Sequence, residues 1–241
     1  MTHGLFFTAY DRVDYLRQTL ESWESVRGIQ DWHVVARIEP SPVEDTVIEL
    51  FEAFFERTGV RRYEIVVNER VLGVLHHPFV GFSELFLEHD FVVRAEDDLV
   101  VSDDILEYFT WAEKHYRNTK FVATINAFSK GRSEHDCYVI PYSRFNPWVW
   151  GTWRSVWDMV FAPLWDHDYS TFSGTPGFMS GWDWNIDVRI FPRYGFEAIY
   201  PMNSRVQNIG EWGVHGTPDN LQRAQVFKHT YGEQEYRPFF E

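Results

Sequence analysis

Through its first half the chain alternates short apolar runs with amphipathic stretches. "GLFFTAY" (residues 4–10) is apolar on both parities, the pattern of a strand buried on both faces. Directly after it, "DYLRQTLESWESV" places Leu16, Leu20 and Trp23 at i, i+4 and i+7, the stripe of a helix packed on a sheet. "WHVVARI" and "VEDTVIELFEAFFERTG" repeat the unit, with Val47, Leu50, Phe51, Phe54 and Phe55 on one helix face and Gly59 as the stop. A third unit joins "YEIVVN" to a helix carrying Phe79, Phe82, Leu85 and Phe86, and "DFVVRA" is a fourth strand. Alternation at these lengths predicts an α/β fold with a mostly parallel central sheet, helices on both faces and right-handed crossovers.

Beyond Lys120 the alternation fades. "KFVATINAF" reads as one more strand, and aromatic, Pro- and Gly-rich sequence follows to about residue 217, holding eight of the eleven tryptophans. The polar stretch from Asp219 to Glu241 is expected to wrap the surface. No Ser/Gly/Pro linker divides the chain, so residues 1–241 read as a single domain.

Composition narrows the function. With 44% hydrophobic and 18% aromatic residues the chain has ample material for a core. A formal net charge of -14 repels polyanions, so generic nucleic-acid binding is not expected. The lone Cys137 cannot form an intrachain disulfide and reads as a packed or incidental thiol. The start "MTHGLFFTAYDRVDYL" lacks the pattern of a signal peptide, and no apolar stretch reaches the roughly 20 residues a bilayer span requires. A cytoplasmic location in a reducing compartment is the expectation.

The chemistry gathers in "FVVRAEDDLVVSDDILEYF", where an apolar strand runs into Glu96, Asp97 and Asp98. In parallel α/β sheets ligands bind at the carboxyl ends of strands, so these acids fall on the functional rim. Adjacent carboxylates repel unless water or a cation compensates them. Mg²⁺ or Mn²⁺ resolves the conflict, taking one or two carboxylates and completing its shell with water and substrate phosphate oxygens. Ser102, just beyond, is expected to cap the helix that holds Ile105, Leu106 and Phe109.

The segment "AEDDLVVSDDILEYF" resembles the metal-binding stretch of GT-A fold glycosyltransferases, particularly the N-acetylglucosaminyltransferase I type, in which E-D-D stands for D-x-D. "FTAYDRVDYLRQTLESW" is similar to the first β-α unit of those enzymes, and "RVLGVLHHPFVGFSELF" to the helix before their metal strand. "NPWVWGTWRSVW", "SGWDWNIDVRI" and "YPMNSRVQNIGEWGVHGT" resemble, in order, an aromatic acceptor segment of bacterial family-2-like relatives, the segment bearing the base of inverting members, and their closing segment. The resemblance implies a nucleotide-sugar-binding half over residues 1–118 and an acceptor half over 119–241. It also implies a metal-dependent transferase using a nucleotide-sugar donor, a UDP-sugar first, with Mn²⁺ or Mg²⁺. The acceptor would be a saccharide, a lipid-linked glycan or a protein.

Carried over residue by residue, the resemblance makes Asp98 the direct metal ligand and turns Asp97 and Glu96 toward the ribose and the transferred sugar. Ala9, Tyr10, Asp11 and Arg12 would line the nucleotide loop, with Glu39 near the base. Asp183 would be the general base, with Asp187 as the competing choice, and His215 a second metal ligand or a diphosphate donor. Trp148, Trp150, Trp182, Trp184 and Trp212 are candidate sugar platforms, because flat rings pack against sugar C–H groups. Arg144 and Arg154 fit diphosphate helpers or ordinary ion-pair residues. Two rival readings are a sugar-1-phosphate nucleotidyltransferase and a non-catalytic carbohydrate- or metal-binding module. "FTAYDRVDY" has no glycine where a nucleotidyltransferase carries its Gly-rich loop, which counts against the first.

Overall fold

In the computed structural model of the protein, residues 2–131, 133–169, 181–210 and 228–239 are described. The first half follows its hydrophobic pattern closely. Strands β1 (His3–Ala9), β2 (His33–Ile38), β3 (Arg62–Val67) and β4 (Phe91–Glu96) pair in parallel, and helices α1 (Val13–Trp23), α2 (Glu44–Thr58) and α3 (Gly73–Leu85) connect them. Gly59 ends α2 at φ 64°, a left-handed conformation that a residue without Cβ adopts freely.

The second half is richer in strands than its sequence suggests. β5 (Leu99–Val101), α4 (Ile105–Tyr116), β6 (Val122–Asn126), β7 (Tyr138–Tyr142), β8 (Trp150–Trp153), β9 (Glu197–Pro201), β10 (Val206–Asn208) and β11 (Arg237–Pro238) follow, with helical turns at residues 154–161 and 182–194. One nine-stranded sheet runs β11-β7-β9-β6-β8-β4-β1-β2-β3, and β10 and β5 form a separate antiparallel ribbon. Only β8, β7 and β11 oppose the common strand direction in the large sheet, so it is mostly parallel.

Because both faces of the sheet are covered, each central strand feeds two cores. Leu5, Phe7 and Ala9 point to the cluster beneath α1, α2 and α4, where Trp23, Phe51, Phe54 and Phe109 pack. Phe6, Val35 and Val92 point to a second cluster, built from α3 and the helical turns of the second half, around Phe82, Trp150, Trp157, Trp165 and Trp182.

Two expectations need correction. Ser102 does not cap α4: its hydroxyl donates to Asp104 Oδ1 at 2.7 Å, and Asp104 is the boundary residue of the helix. Nor does the described part of the tail only wrap the surface. Tyr231 and Tyr236 are buried, the Tyr231 ring lies 3.7 Å from the Arg205 guanidinium, and Tyr236 donates to Asp104. Arg205 and Asp104 form a fully buried ion pair at 3.0 Å, and the tail closes over it because a buried pair is stable only with its remaining hydrogen bonds satisfied. Among the described residues no helix is long and apolar enough to cross a membrane.

Candidate active site

Strand register brings the site together. Ala9 pairs with Ile38 and Thr8 with Glu96, so β1, β2 and β4 end level on one rim. Arg94 pairs with Trp150 across the antiparallel β4–β8 contact, which brings the chain before β8, with Trp148, to that same rim.

Asp97 and Asp98 form the turn leaving β4 and are 4% and 7% exposed. One cation serves both. Arg12, the boundary residue of α1, donates from Nη1 to Asp98 Oδ2 at 2.7 Å and from Nε to Asp97 Oδ2 at 3.4 Å, and its Nη2 meets Asp97 Oδ1. The Thr19 hydroxyl donates to the Asp97 carbonyl at 3.0 Å, and the Tyr10 backbone N–H supports the Asp97 carboxylate. The loop of Tyr10, Asp11 and Arg12 therefore wraps the acidic corner, with Tyr10 and Asp11 exposed.

Burial dominates the electrostatics here. It pushes the Asp97 carboxyl up to about 6, more than Arg12 offsets. Asp98 is raised as well, by burial and by the neighbouring Glu96 charge. Burial also works against the Arg12 charge, but Asp97 and Asp98 outweigh it and hold the guanidinium above its usual range. Among the described residues two carboxylates meet one guanidinium, which leaves the corner one positive charge short.

The donor set suits a hard divalent ion. Among the described residues no three His, Cys, Asp or Glu side chains converge into a full cage. The corner thus offers a partial shell, of the kind Mg²⁺ completes with water and phosphate oxygens. Room beside Asp98 depends on Gly210: a Cβ there would lie 2.3 Å from Asp98 Oδ2. The Ile209 N–H donates to the Asp98 carbonyl at 2.9 Å, and the pairing of β10 with β5 lays Asn208 opposite Leu99. Asn208 and Gly210 were not singled out from the sequence; the run "VQNIG" after a strand carries little signal until β10 is seen against β5.

Alternation places the other acids on the α3 side of the sheet. Glu96 accepts from Arg94 at 2.9 Å, and the buried Arg94 also donates to Thr8 Oγ1 at 3.2 Å and lies 5.2 Å from the Trp182 ring. Glu39 is buried and anchors α3, accepting from the backbone N–H groups of Leu72 at 2.9 Å and Gly73 at 2.7 Å and from Asn68 Nδ2 at 3.1 Å. His77 sits beside it, Nδ1 to Oε1 at 3.4 Å, and burial together with Arg37 and Arg94 lowers its pKa to about 3.

Asp183 is half-buried at the start of the second-half helix that spans residues 182–194. A Cβ on Gly181 would lie 3.3 Å from Asp183 Oδ1, 3.5 Å from the Tyr169 ring and 3.7 Å from Leu75, which fixes Asp183 near the first turn of α3. Asp187, one turn on, is fully engaged: Arg144 Nε reaches both its oxygens at 2.9 and 3.0 Å, Arg144 Nη2 donates at 2.5 Å, and the Phe145 N–H donates at 2.8 Å. Arg144 is thus an ion-pair residue, and Arg154 donates to the His89 carbonyl at 2.7 Å.

The tryptophans divide by burial. Trp150 is fully enclosed, and Trp182 is stacked between Trp150 at 5.8 Å and Trp165 at 5.0 Å, so both serve the core and neither offers a face. Trp148 and Trp184 are half-buried, and Trp148 meets Phe128 at 4.5 Å. Trp212 and His215 lie outside the described residues.

No protein-family model matches the chain, and no curated protein matches it by sequence. Solved structures do. The mannosyltransferase PcManGT from Pyrobaculum calidifontis, in complex with GDP-Man and Mn²⁺, aligns at TM-score 0.57 and 12% identity over 83% of this chain and 54% of its own. GalNAc-T7 with UDP, GalNAc and Mn²⁺ aligns at 0.59 and 10% over 86% of this chain and 44% of its own. S. aureus TarS 1-349 in complex with UDP aligns at 0.51 and 13% over 71% and 52%. The chain spans about half the length of these proteins. At such identities the likeness shows the fold, the mostly parallel GT-A sheet flanked by helices.

Proposed function

We propose that the chain is a metal-dependent glycosyltransferase that moves a sugar from a nucleotide diphosphate donor, a UDP-sugar first, to an acceptor hydroxyl with inversion. The observation that carries this reading is the buried Asp97–Asp98 pair at the end of β4, among the described residues one positive charge short, with Gly210 close against Asp98. The fold's neighbours were solved with GDP-Man and Mn²⁺, with UDP, and with UDP, GalNAc and Mn²⁺, which favours a nucleotide-sugar at the same rim. The E-D-D form of the triplet supports the narrower kinship with the N-acetylglucosaminyltransferase I type and a hexosyl or N-acetylhexosaminyl donor.

In this reading Asp98 holds Mn²⁺ or Mg²⁺, and His215 is the second candidate ligand. The bound ion supplies positive charge to the departing diphosphate without a protonated group. The loop from Ala9 to Arg12 lines the nucleotide, and Glu39 keeps α3 and the floor beneath the base in place. Glu96 and Asp97 face the ribose and the sugar.

Asp183 takes the acceptor hydroxyl proton as the oxygen attacks the anomeric carbon from the face opposite the leaving diphosphate, which departs with the bonding electron pair. Asp187 is left out of this role, since its oxygens already accept four hydrogen bonds. Trp148 and Trp184 retain the exposure a sugar platform needs, and Trp212 is a further candidate platform. The acceptor is a saccharide, a lipid-linked glycan or a protein.

Incubation with a panel of nucleotide sugars and candidate acceptors, with and without Mn²⁺, tests the proposal. Metal-dependent release of nucleoside diphosphate is expected. Formation of nucleoside triphosphate and sugar 1-phosphate when pyrophosphate is added would indicate nucleotidyl transfer instead, and glycan binding without any turnover a binding module.

A further inference from the structure

The Arg12 guanidinium rests on the carboxylate oxygens that a divalent ion would need. It reaches Asp98 Oδ2 at 2.7 Å and both oxygens of Asp97, while the acids themselves are almost completely buried. Two adjacent carboxylates stripped of water need a cation close by, and Arg12 is the cation that meets both. A metal ion cannot join the corner while the guanidinium stays, because the two positive charges would lie within a few ångströms of each other.

The side chain is built to leave. Arg12 stands at the boundary of α1 with non-helical backbone (φ -91°, ψ 64°), and its side chain is 30% exposed although its partners are not. The Tyr15 ring, 5.9 Å from its guanidinium carbon, offers a flat surface along the way. A diphosphate arriving at the same rim gives the fork a new two-pronged anionic partner.

We propose that Arg12 is a tethered counter-cation that trades places with the metal: it neutralises Asp97 and Asp98 in the empty enzyme and moves to the diphosphate when metal and nucleotide bind. This deepens the glycosyltransferase reading and rests on it. The consequence is obligatory coupling. Metal alone must evict Arg12 with nothing to receive it and binds weakly, whereas metal and nucleoside diphosphate together satisfy every charge. By linkage each ligand raises the affinity of the other by the same factor.

Mn²⁺ binding, followed by electron paramagnetic resonance with and without UDP, tests the exchange without relying on activity. For the wild type, UDP should tighten Mn²⁺ binding by about 10- to 100-fold. In Arg12→Gln, Mn²⁺ alone should bind about tenfold more tightly than to the wild type, and the UDP enhancement should shrink to a few-fold. A general loss of positive charge would tighten the metal yet leave the enhancement intact, so the shrinkage is the diagnostic. Arg12→Lys keeps a charge for folding but cannot bridge both acids, and should fall between the two. Thermal melting gives a second readout: Mn²⁺ alone should raise the midpoint of Arg12→Gln more than that of the wild type.

An Arg12→Gln protein that binds Mn²⁺ no more tightly, or that keeps the full UDP enhancement, overturns the exchange while leaving the transferase reading standing. A wild type that ignores Mn²⁺ even with UDP present removes both.

Discussion

Two buried acid–arginine arrangements stand on opposite sides of the sheet, and they differ in how completely they are satisfied. At Asp187 one carboxylate receives three contacts from Arg144 and one from the Phe145 N–H, so every lone pair has a partner and charge is balanced one to one. At the end of β4, two carboxylates share the single Arg12, and burial lifts the Asp97 carboxyl to about 6. A saturated pair holds a loop in place, here the chain leading into β8. In the proposed reading a corner short of positive charge takes a divalent cation in exchange for its guanidinium, and that unmet charge sets the functional acids apart from the structural one.

The contrast is most sharply broken at Asp183, the half-buried acid one turn before Asp187. Asp183→Asn should lower the rate of transfer by about 10² to 10⁴ fold while isothermal titration shows UDP binding within about twofold of the parent. Parent-like turnover would remove Asp183 as the base. Asp187→Asn should do the opposite. Chemical denaturation should show a loss of about 1–3 kcal/mol, toward the low end because Arg144 is half exposed, with the donor KM unchanged.

A smaller effect probes the corner from above. Gly210→Ala pushes a methyl group onto Asp98 Oδ2, where it would lie at 2.3 Å. Overpacking of this kind should weaken joint Mn²⁺ and UDP binding by about tenfold, measured by titration. Unchanged affinity would mean that Asp98 does not need the space beside it.

The gentlest test lies at Glu39, a second saturated acid, through its neighbour His77. The folded His77 pKa is about 3 against an ordinary 6.5, because burial and then Arg37 and Arg94 disfavour its charge. The unfolded chain therefore takes up a proton that the native state refuses as pH falls below 6.5, and stability is lost through the interval down to about 3. Urea unfolding between pH 6 and 5 should show this as a slope of at most about 1.4 kcal/mol per pH unit from this group, and His77→Gln should flatten it by that share. An identical slope in the variant would place the acid sensitivity elsewhere.

How much of this could be read from the chain depends on the range of the interactions involved. The β-α units of the first half are local: the stripe of Val47, Phe51, Phe54 and Phe55 and the stop at Gly59 are decided within a few residues, and the structure follows them. The acidic triplet at a strand end is likewise visible, because an apolar run ending in charge has few local explanations. In the second half the strands are short and aromatic, so "WGTW" of β8 carries neither clear alternation nor length, and its place between β4 and β6 depends on partners far away in sequence. Ser102 looked like a helix cap because its neighbours fit that pattern, yet Asp104 next to a buried Arg205 claimed its hydroxyl.

The site shows the same limit. Arg12 lies 85 residues from Asp97, and no spacing rule announces that they meet. The tryptophans of the second half could be counted but not sorted: only packing reveals that Trp150 and Trp182 are stacked inside the core while Trp148 and Trp184 keep a solvent edge. The choice between Asp183 and Asp187 was open for a similar reason, since Arg144 is a distant partner until the chain folds.

A crystal soaked with manganese and UDP, with diffraction data collected at a wavelength where manganese scatters anomalously, puts the acidic corner to its most direct test. The account predicts one manganese peak in contact with an Asp98 oxygen and with the diphosphate, and Arg12 turned away from the carboxylates. A nucleotide bound at the rim with no metal beside Asp98, and Arg12 still bridging the two acids, would contradict it.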